Sequence, residues 1–363
     1  MRRFVYDALP GRVVFANGAF DRVPDELDRL GARRVLLIAD RSAQSWAERL
    51  TEQLADRVVA RIDDVRVHVP IERATAARTL ARESAVDSML AIGGGSTTGL
   101  AKAVALELPL PILAIPTTYA GSEMTPIWGL TEGARKRTGR DSVVQPKTVI
   151  YDPILTLSLP PAIAGPSGMN ALAHCAEALY ADGANPVTSL MAEEGIRVLA
   201  VSLPRVTNSP DDLEARGEVL LGAYLAAAAF AAAGSGIHHK MCHVLGGAYD
   251  LPHAETHTVI LPHALALVAP TEPEAMARIA AAMGNPDVPG AVYDLAVALG
   301  TPTSLAAIGL PADRLDEAAG LIVDAVSASS QPADLPSVRS LLSDAFEGRR
   351  PSFDRVIQRS STA

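Results

Sequence analysis

The chain has 363 residues, enough for two domains of ordinary size, and its 48% hydrophobic residues provide enough apolar surface to exclude a disordered chain. A net charge of -9 argues against general attraction to nucleic acids or to anionic membranes. The two cysteines are too few for the disulfide framework of a small secreted protein, so we expect a reducing cytoplasm.

The pattern of residue types over residues 1–153 predicts an α/β domain. Short aliphatic runs alternate there with stretches of helical spacing. The aliphatic runs are residues 35–39, 88–92 and 111–115, and the helical stretches are residues 25–30, 43–54 and 74–84. Strands separated by helices form a mostly parallel, Rossmann-like sheet with helices on both faces. Ligands of such sheets bind at the carboxyl ends of the strands, so a ligand site is expected at that edge.

A run of three glycines lies at one of these strand ends. Gly93, Gly94, Gly95 and Ser96 follow an apolar strand and precede a helical stretch over residues 100–108. Glycines let the backbone turn sharply and bring its amides close to an anion, and the start of the next helix adds its dipole. The pattern predicts that Gly94, Gly95 and Ser96 bind a pyrophosphate, with a purely structural turn as the alternative.

Two further strand ends carry polar side chains suited to a nucleotide. Asp40 follows the strand at 35–39, where its carboxylate could accept hydrogen bonds from the adenosine ribose and repel a 2′-phosphate, which favours NADH over NADPH. A helix cap before Ser42 explains Asp40 equally well. Thr117 and Thr118 follow the strand at 111–115, and their hydroxyls suit cofactor ribose or amide groups, with a polar turn as the alternative.

Residues 154–363 predict an all-helical domain. After Tyr151 the β-rich runs disappear, and helical segments rich in alanine and leucine follow one another. The longest apolar run, residues 219–237, is near membrane-spanning length, but it is dominated by alanine and leads directly into His238 and His239. A buried, closely packed helix is therefore expected, and no membrane association.

Polar residues recur at helical spacing in this second half. Asn170 and His174 are four residues apart, as are His239 and His243, and His253 follows ten residues later. Buried imidazoles need hydrogen-bond partners, so this pattern favours a functional site over core packing. A metal ion would be the obvious use of these side chains, but no carboxylate accompanies them.

The combination of motifs resembles the iron-containing alcohol dehydrogenases over essentially the whole chain. The matching segments are residues 93–96, 116–118, 168–174 and 239–253. The resemblance implies a dehydroquinate synthase-like fold with an α/β domain followed by an all-α domain. It also places four metal-ligand positions at Asn170, His174, His239 and His253, and a proton-transferring histidine at His243. The family has an aspartate where this chain has Asn170, and a neutral amide binds a divalent ion weakly, so we expect no bound metal.

Three segments resemble one branch of that family, the maleylacetate reductases. These are residues 117–125, 168–175 and 238–243. The resemblance implies a cytoplasmic homodimer that uses NADH, or NADPH, to reduce the carbon-carbon double bond of maleylacetate to 3-oxoadipate in the breakdown of aromatic compounds. The substrate is a small dicarboxylate enone, and Tyr119, His239, His243 and His253 are the residues expected to bind it.

A reaction of this kind suits a site without a metal. Hydride delivered to the carbon β to a ketone yields an enolate with delocalised charge, which hydrogen-bond donors can stabilise. We expect two or more of His174, His239 and His253 to donate to that oxygen or to a substrate carboxylate, and His243 to supply the proton. The alternatives are a metal-dependent alcohol dehydrogenase in which Asn170 still coordinates, a lyase such as dehydroquinate synthase, and a non-catalytic nucleotide-binding relative.

Overall fold

The computed structural model describes residues 4–6, 8–9, 11–133, 135–327, 329 and 331–351. The chain divides into two compact units: Ala8–Leu159 forms one, and Pro160–Ala363 together with Met1–Asp7 forms the other. Sequence analysis places the boundary after residue 153, whereas the structure divides after Leu159. The difference arises because the 3₁₀ helix Pro153–Thr156 carries Leu155 into the hydrophobic core beneath the sheet.

The first unit contains a six-stranded parallel sheet in the order β1-β8-β5-β4-β2-β3, and a separate antiparallel hairpin, β6-β7. The strands are β1 (Arg12–Phe15), β2 (Val35–Ala39), β3 (Val58–Ile62), β4 (Ser88–Gly93), β5 (Ile112–Pro116), β6 (Ile127–Glu132), β7 (Arg135–Arg140) and β8 (Thr148–Tyr151). Its α-helices are α1 (Val23–Arg29), α2 (Gln44–Leu54), α3 (Ile71–Glu83) and α4 (Gly95–Ala105). The predicted α/β class is confirmed, with all three aliphatic runs forming strands of the parallel sheet.

Both faces of this sheet are covered, which explains why its central strands are apolar without alternation. Successive residues of β2 point to opposite faces: Leu37 packs into the core that contains α1 and α2, and Leu36 into the core that contains α3 and α4. In the parallel register Ile38 lies beside Ala91 of β4, and Ala91 beside Ala114 of β5. The carboxyl ends of β2, β4 and β5 are therefore neighbours, and the glycine turn lies between β4 and α4.

The second unit is helical throughout its described part. Its helices are α5 (Pro161–Ala178), α6 (Pro186–Asn208), α7 (Leu213–Ala233), α8 (Ile237–Tyr249), α9 (His253–Val268), α10 (Pro273–Met283), α11 (Val288–Ala298), α12 (Leu315–Val326) and α13 (Leu335–Glu347). This is the all-α architecture that the sequence predicts for the second half of the chain.

Helix α7 is long and apolar enough to cross a membrane by length and composition alone, but 61% of its most apolar window is buried within the unit. Small residues let it approach its neighbours closely. A Cβ added at Gly222 would lie 2.6 Å from Cγ of Leu199 on α6, and one at Gly195 of α6 would lie 2.5 Å from Sγ of Cys175 on α5. The packing is that of a core helix, as its alanine-rich composition predicts.

Candidate active site

Three helices of the second unit each carry a pair of polar residues one helical turn apart. Asn170 and His174 lie on α5, His239 and His243 on α8, and His253 and His257 on α9. Side chains four residues apart share a helix face, so each pair projects from its helix in one direction. The third pair was missed in the sequence, although His253 and His257 have the same spacing as the other two.

The rings of these histidines form one continuous imidazole cluster, comprising His174, His238, His239, His243, His253 and His257. The ring centroids of His174 and His239 are 5.0 Å apart and stacked, and those of His239 and His243 are 6.0 Å apart. His257 lies 4.5 Å from His239 and 4.3 Å from His253. The four histidines predicted from the sequence are thus brought together, with His257 linking His253 to the others.

The imidazole cluster has a buried side and an exposed side. His174, His238, His239 and His257 are buried, whereas His243 and His253 are exposed. Burial lowers the pKa of His174, His239 and His257 well below the usual value, and lowers the pKa of His238 to about 4. These four rings are therefore neutral near neutral pH, and each has one nitrogen lone pair available as a ligand.

A buried carboxylate, Glu177, lies against the imidazole cluster. Its Oε1 accepts a hydrogen bond from the backbone N–H of His239 at 3.1 Å, and its Oε2 forms a hydrogen bond with Nδ1 of the same residue. Burial raises the pKa of Glu177, and hydrogen bonds from backbone N–H groups at the start of α8 oppose that rise. Sequence analysis missed Glu177, although it follows His174 by three residues and so shares its helix face.

Several buried polar atoms in this region have no hydrogen-bond partner among the described residues: Asn170 Oδ1, His174 Nδ1 and both ring nitrogens of His257. An unsatisfied buried polar atom costs about 1–3 kcal/mol. The ligand atoms of His238, His239 and His257 also lie within 4.8 Å of one another. Imidazole nitrogens with an amide oxygen suit a divalent transition metal such as iron or zinc, so these residues fit a metal ion.

The glycine turn of the first unit has the geometry of an anion cradle. Gly93 has a φ of +149°, and a Cβ there would lie 2.3 Å from Oδ2 of Asp40. Added Cβ atoms at Gly94 and Gly95 would each lie 3.2 Å from a side-chain atom of the segment after β5, from Cγ2 of Thr118 and Cβ of Ala120 respectively. Only glycine keeps the backbone this close to its surroundings. With α4 beginning at Gly95, the turn can present backbone N–H groups to a pyrophosphate.

Asp40 caps the short helix that follows it. Oδ1 accepts hydrogen bonds from the backbone N–H groups of Ser42 at 2.9 Å and Ala43 at 3.2 Å. Oδ2 accepts from the N–H of Gly94 at 2.9 Å and from the hydroxyl of Thr97 at 3.1 Å. The contacts of Oδ1 are those that the capping interpretation predicts, and the contacts of Oδ2 also join the ends of β2 and β4. The contact of Asp40 with a cofactor ribose stays a prediction.

The predicted polar segment after β5 is held by a buried lysine that sequence analysis missed. Thr117 and Tyr119 are buried and Thr118 is half-buried, and their cofactor and substrate contacts stay predictions. The chain that follows these residues is held by Lys102 of α4. Its Nζ donates to the Thr125 hydroxyl and to the backbone carbonyls of Ser122, Thr125 and Ile127. Burial lowers the pKa of Lys102 to about 7. The sequence did contain a signal for this buried lysine, because Lys102 is the single lysine in the mostly apolar helical stretch 100–108.

Comparisons with known proteins cover both units. The family model for iron-containing alcohol dehydrogenase matches residues 10–153, and that for the C-terminal part of the Fe-containing alcohol dehydrogenase family matches residues 165–346. A maleylacetate reductase from Sphingobium indicum is 50% identical over 96% of this chain and 99% of its own length. One from Burkholderia cepacia is 49% identical over 97% and 100%.

Solved structures similar to this chain indicate the same family. The crystal structure of maleylacetate reductase from Agrobacterium tumefaciens has a TM-score of 0.92 at 44% identity, covering 97% of this chain and 100% of that one. That from Rhizobium sp. strain MTP-10005 has a TM-score of 0.93 at the same identity and coverage. The structure of a 1,3-propanediol oxidoreductase has a TM-score of 0.86 at 27% identity.

The family corrects one expectation from the sequence. Its members are iron-containing, which implies a bound metal, so the expectation of no metal is wrong. That expectation gave too much weight to the missing charge at Asn170. The tertiary structure retains the amide oxygen and several neutral imidazoles as ligand atoms, and it places the Glu177 carboxylate beside them. The chain belongs to the iron-containing alcohol dehydrogenase family and, within it, to the maleylacetate reductase branch.

Proposed function

We propose that this chain reduces the carbon-carbon double bond of maleylacetate with NADH or NADPH, giving 3-oxoadipate. The observation that carries the proposal is 44–50% identity, over nearly the whole chain, to several proteins named maleylacetate reductase. The same relatives favour this activity over alcohol oxidation, because proteins that share this name align over nearly the whole chain. We also propose a homodimer that works in the cytoplasm.

We assign the metal site to the imidazole cluster. The family resemblance points to Asn170, His174, His239 and His253 as ligands. His257 is a further candidate, because neither of its ring nitrogens has a hydrogen-bond partner in the described structure. A ring nitrogen that binds the metal carries no hydrogen, so a ligating imidazole can donate a hydrogen bond only through its other nitrogen.

The nucleotide is assigned to the carboxyl edge of the parallel sheet. Gly94, Gly95 and Ser96, at the start of α4, would lie against its pyrophosphate, with the N–H groups of Gly95 and Ser96 as donors, because the N–H of Gly94 donates to Asp40. The hydroxyls of Thr117 and Thr118 would bind ribose or amide groups. Asp40 would repel a 2′-phosphate, which favours NADH.

His243 is the proposed proton donor. Its ring is exposed on α8, one turn from His239, so it can reach a substrate bound against the imidazole cluster. When bound, the reduced nicotinamide would supply hydride, and the metal would supply positive charge that favours the enolate. The carbon β to the ketone gains the hydride, the resulting enolate takes its proton at the α carbon from His243, and the double bond becomes single. Tyr119, His239 and exposed His253 are the proposed substrate contacts.

The test is an assay of NADH oxidation with maleylacetate, carried out with and without added Fe²⁺, with the product identified by mass spectrometry. Stoichiometric NADH consumption with formation of 3-oxoadipate supports the proposal. Turnover without net consumption of NADH would instead indicate a lyase that uses the nucleotide transiently. Thermal protection by NADH without turnover of any enone would indicate a non-catalytic nucleotide-binding protein.

A further inference from the structure

Glu177 contacts His239 through both of its carboxylate oxygens. Oε1 accepts from the His239 backbone N–H, and Oε2 contacts Nδ1 of the same ring. Glu177 is fully buried, so a change in its rotamer would leave a charged group without partners in the core. The two contacts therefore define where each oxygen points.

Burial raises the pKa of Glu177, and its position at the start of α8 acts against that rise. Helix α8 begins at Ile237, and backbone N–H groups of Gly236, His238 and His239 contribute hydrogen bonds to the carboxylate. Unsatisfied N–H groups and the helix dipole both favour negative charge at such a position. In its ionised form the carboxylate can only accept, and the hydrogen between Oε2 and Nδ1 then belongs to the imidazole.

Packing holds the His239 ring in this orientation. Its ring lies 4.6 Å from the ring of Phe230 and is stacked at 5.0 Å on His174. A ring with its hydrogen on Nδ1 carries its lone pair on Nε2, which lies on the opposite side of the ring from Glu177. By contrast, Nδ1 of His174 and both nitrogens of His257 have no hydrogen-bond partner in the described structure.

We propose that Glu177 is a positioning residue that holds His239 in the Nδ1–H tautomer and so presents the Nε2 lone pair of that ring to the metal. This goes beyond the proposed function, and only its metal-affinity consequence rests on the proposed metal site. A carboxylate acting through a ligating histidine fixes ring orientation and raises ligand basicity.

The first test measures the tautomer of His239 in the unsubstituted protein. Metal-free protein labelled with ¹⁵N at histidine is examined by long-range proton–nitrogen correlation NMR, with the His239 signals identified by their loss in His239→Gln. A hydrogen on Nδ1 of His239 is the expected result. A ring protonated only on Nε2 would overturn the proposal, whatever the enzyme does with maleylacetate.

The second test is Glu177→Gln. The amide oxygen can still accept from the His239 backbone N–H, but the amide NH₂ then faces Nδ1 and donates to it, which moves the ring hydrogen to Nε2. We expect the tautomer to change and the affinity for Fe²⁺ alone, measured by competition with a chromophoric chelator under anaerobic conditions, to fall about 10- to 100-fold. Unchanged affinity and an unchanged tautomer would refute the proposal.

Glu26→Gln is the matched control. Glu26 is likewise fully buried, and it accepts hydrogen bonds from Arg12 at 2.7 and 3.0 Å in the first unit. Its substitution removes the same charge from a core, and we expect an unchanged affinity for Fe²⁺. If Glu177→Gln does not fold, the tautomer of His239 in the unsubstituted protein decides whether the proposal holds. Absence of maleylacetate turnover, with the expected tautomer and affinity change, would contradict the proposed function alone.

Discussion

Replacing Lys102 by methionine should destabilise the first unit by an amount that depends on pH. Nζ donates to the carbonyls of Ser122 at 2.6 Å, Thr125 at 2.7 Å and Ile127 at 2.8 Å. The Ser122 carbonyl also accepts from the Thr125 backbone N–H at 3.2 Å, so it keeps a partner in the variant. Two carbonyls then lose a buried donor, at about 1–3 kcal/mol each, or about 2–6 kcal/mol in total.

The pH dependence follows from burial of the ammonium group. Burial lowers the pKa of Lys102 from 10.5 to about 7, so below that pH the folded protein carries a buried charge that destabilises it. As the pH rises above about 7, the folded protein releases this proton while the unfolded chain still holds it, so the unsubstituted protein gains stability relative to the variant. The difference in unfolding free energy should increase by about 2–3 kcal/mol between about pH 7 and pH 9.

Urea unfolding followed by tryptophan fluorescence measures this difference, because both tryptophans, Trp46 and Trp128, lie in the first unit. Lys147→Met is the matched control, since Lys147 is exposed and its replacement should change stability little at any pH. A difference between Lys102→Met and the unsubstituted protein that stays constant from about pH 7 to pH 9 would show that the folded amine keeps its proton there.

Three further substitutions test other parts of the structure. Gly93→Ala should abolish measurable NADH binding in a fluorescence titration, because the φ of +149° is unfavourable and the methyl group would lie 2.3 Å from the capping carboxylate; unchanged affinity would show that the turn does not need glycine. Gly222→Ala should cost about 1–3 kcal/mol by overpacking against Leu199, whereas Gly320→Ala, with nothing within 4 Å, should be neutral or stabilising by calorimetry. His243→Ala should lower turnover with maleylacetate about 100-fold or more while NADH affinity changes little; normal turnover would remove its role as proton donor.

Local patterns in the sequence were sufficient to predict an α/β domain followed by an all-helical domain. Aliphatic runs between helical stretches predicted the parallel sheet, because a strand with both faces covered is apolar at every position, as in β2. The three glycines predicted a turn between a strand and a helix, since this backbone path excludes a side chain. Spacing of four residues predicted the faces of Asn170, His174, His239 and His243, because it follows from helix geometry alone.

Contacts between distant segments required the tertiary structure. Glu177 and His239 are 62 residues apart, and no periodicity within either helix indicates that they meet. His257 joins the imidazole cluster only because α9 packs against α8, and Lys102 finds its acceptors 20 to 25 residues later along the chain. The expectation of no metal failed for the same reason. The sequence alone determined that Asn170 carries no charge. The strength with which a site binds a metal depends on every group that folding brings to it. The Glu177 carboxylate and the imidazoles of His238 and His257 join the site only when the helices pack together.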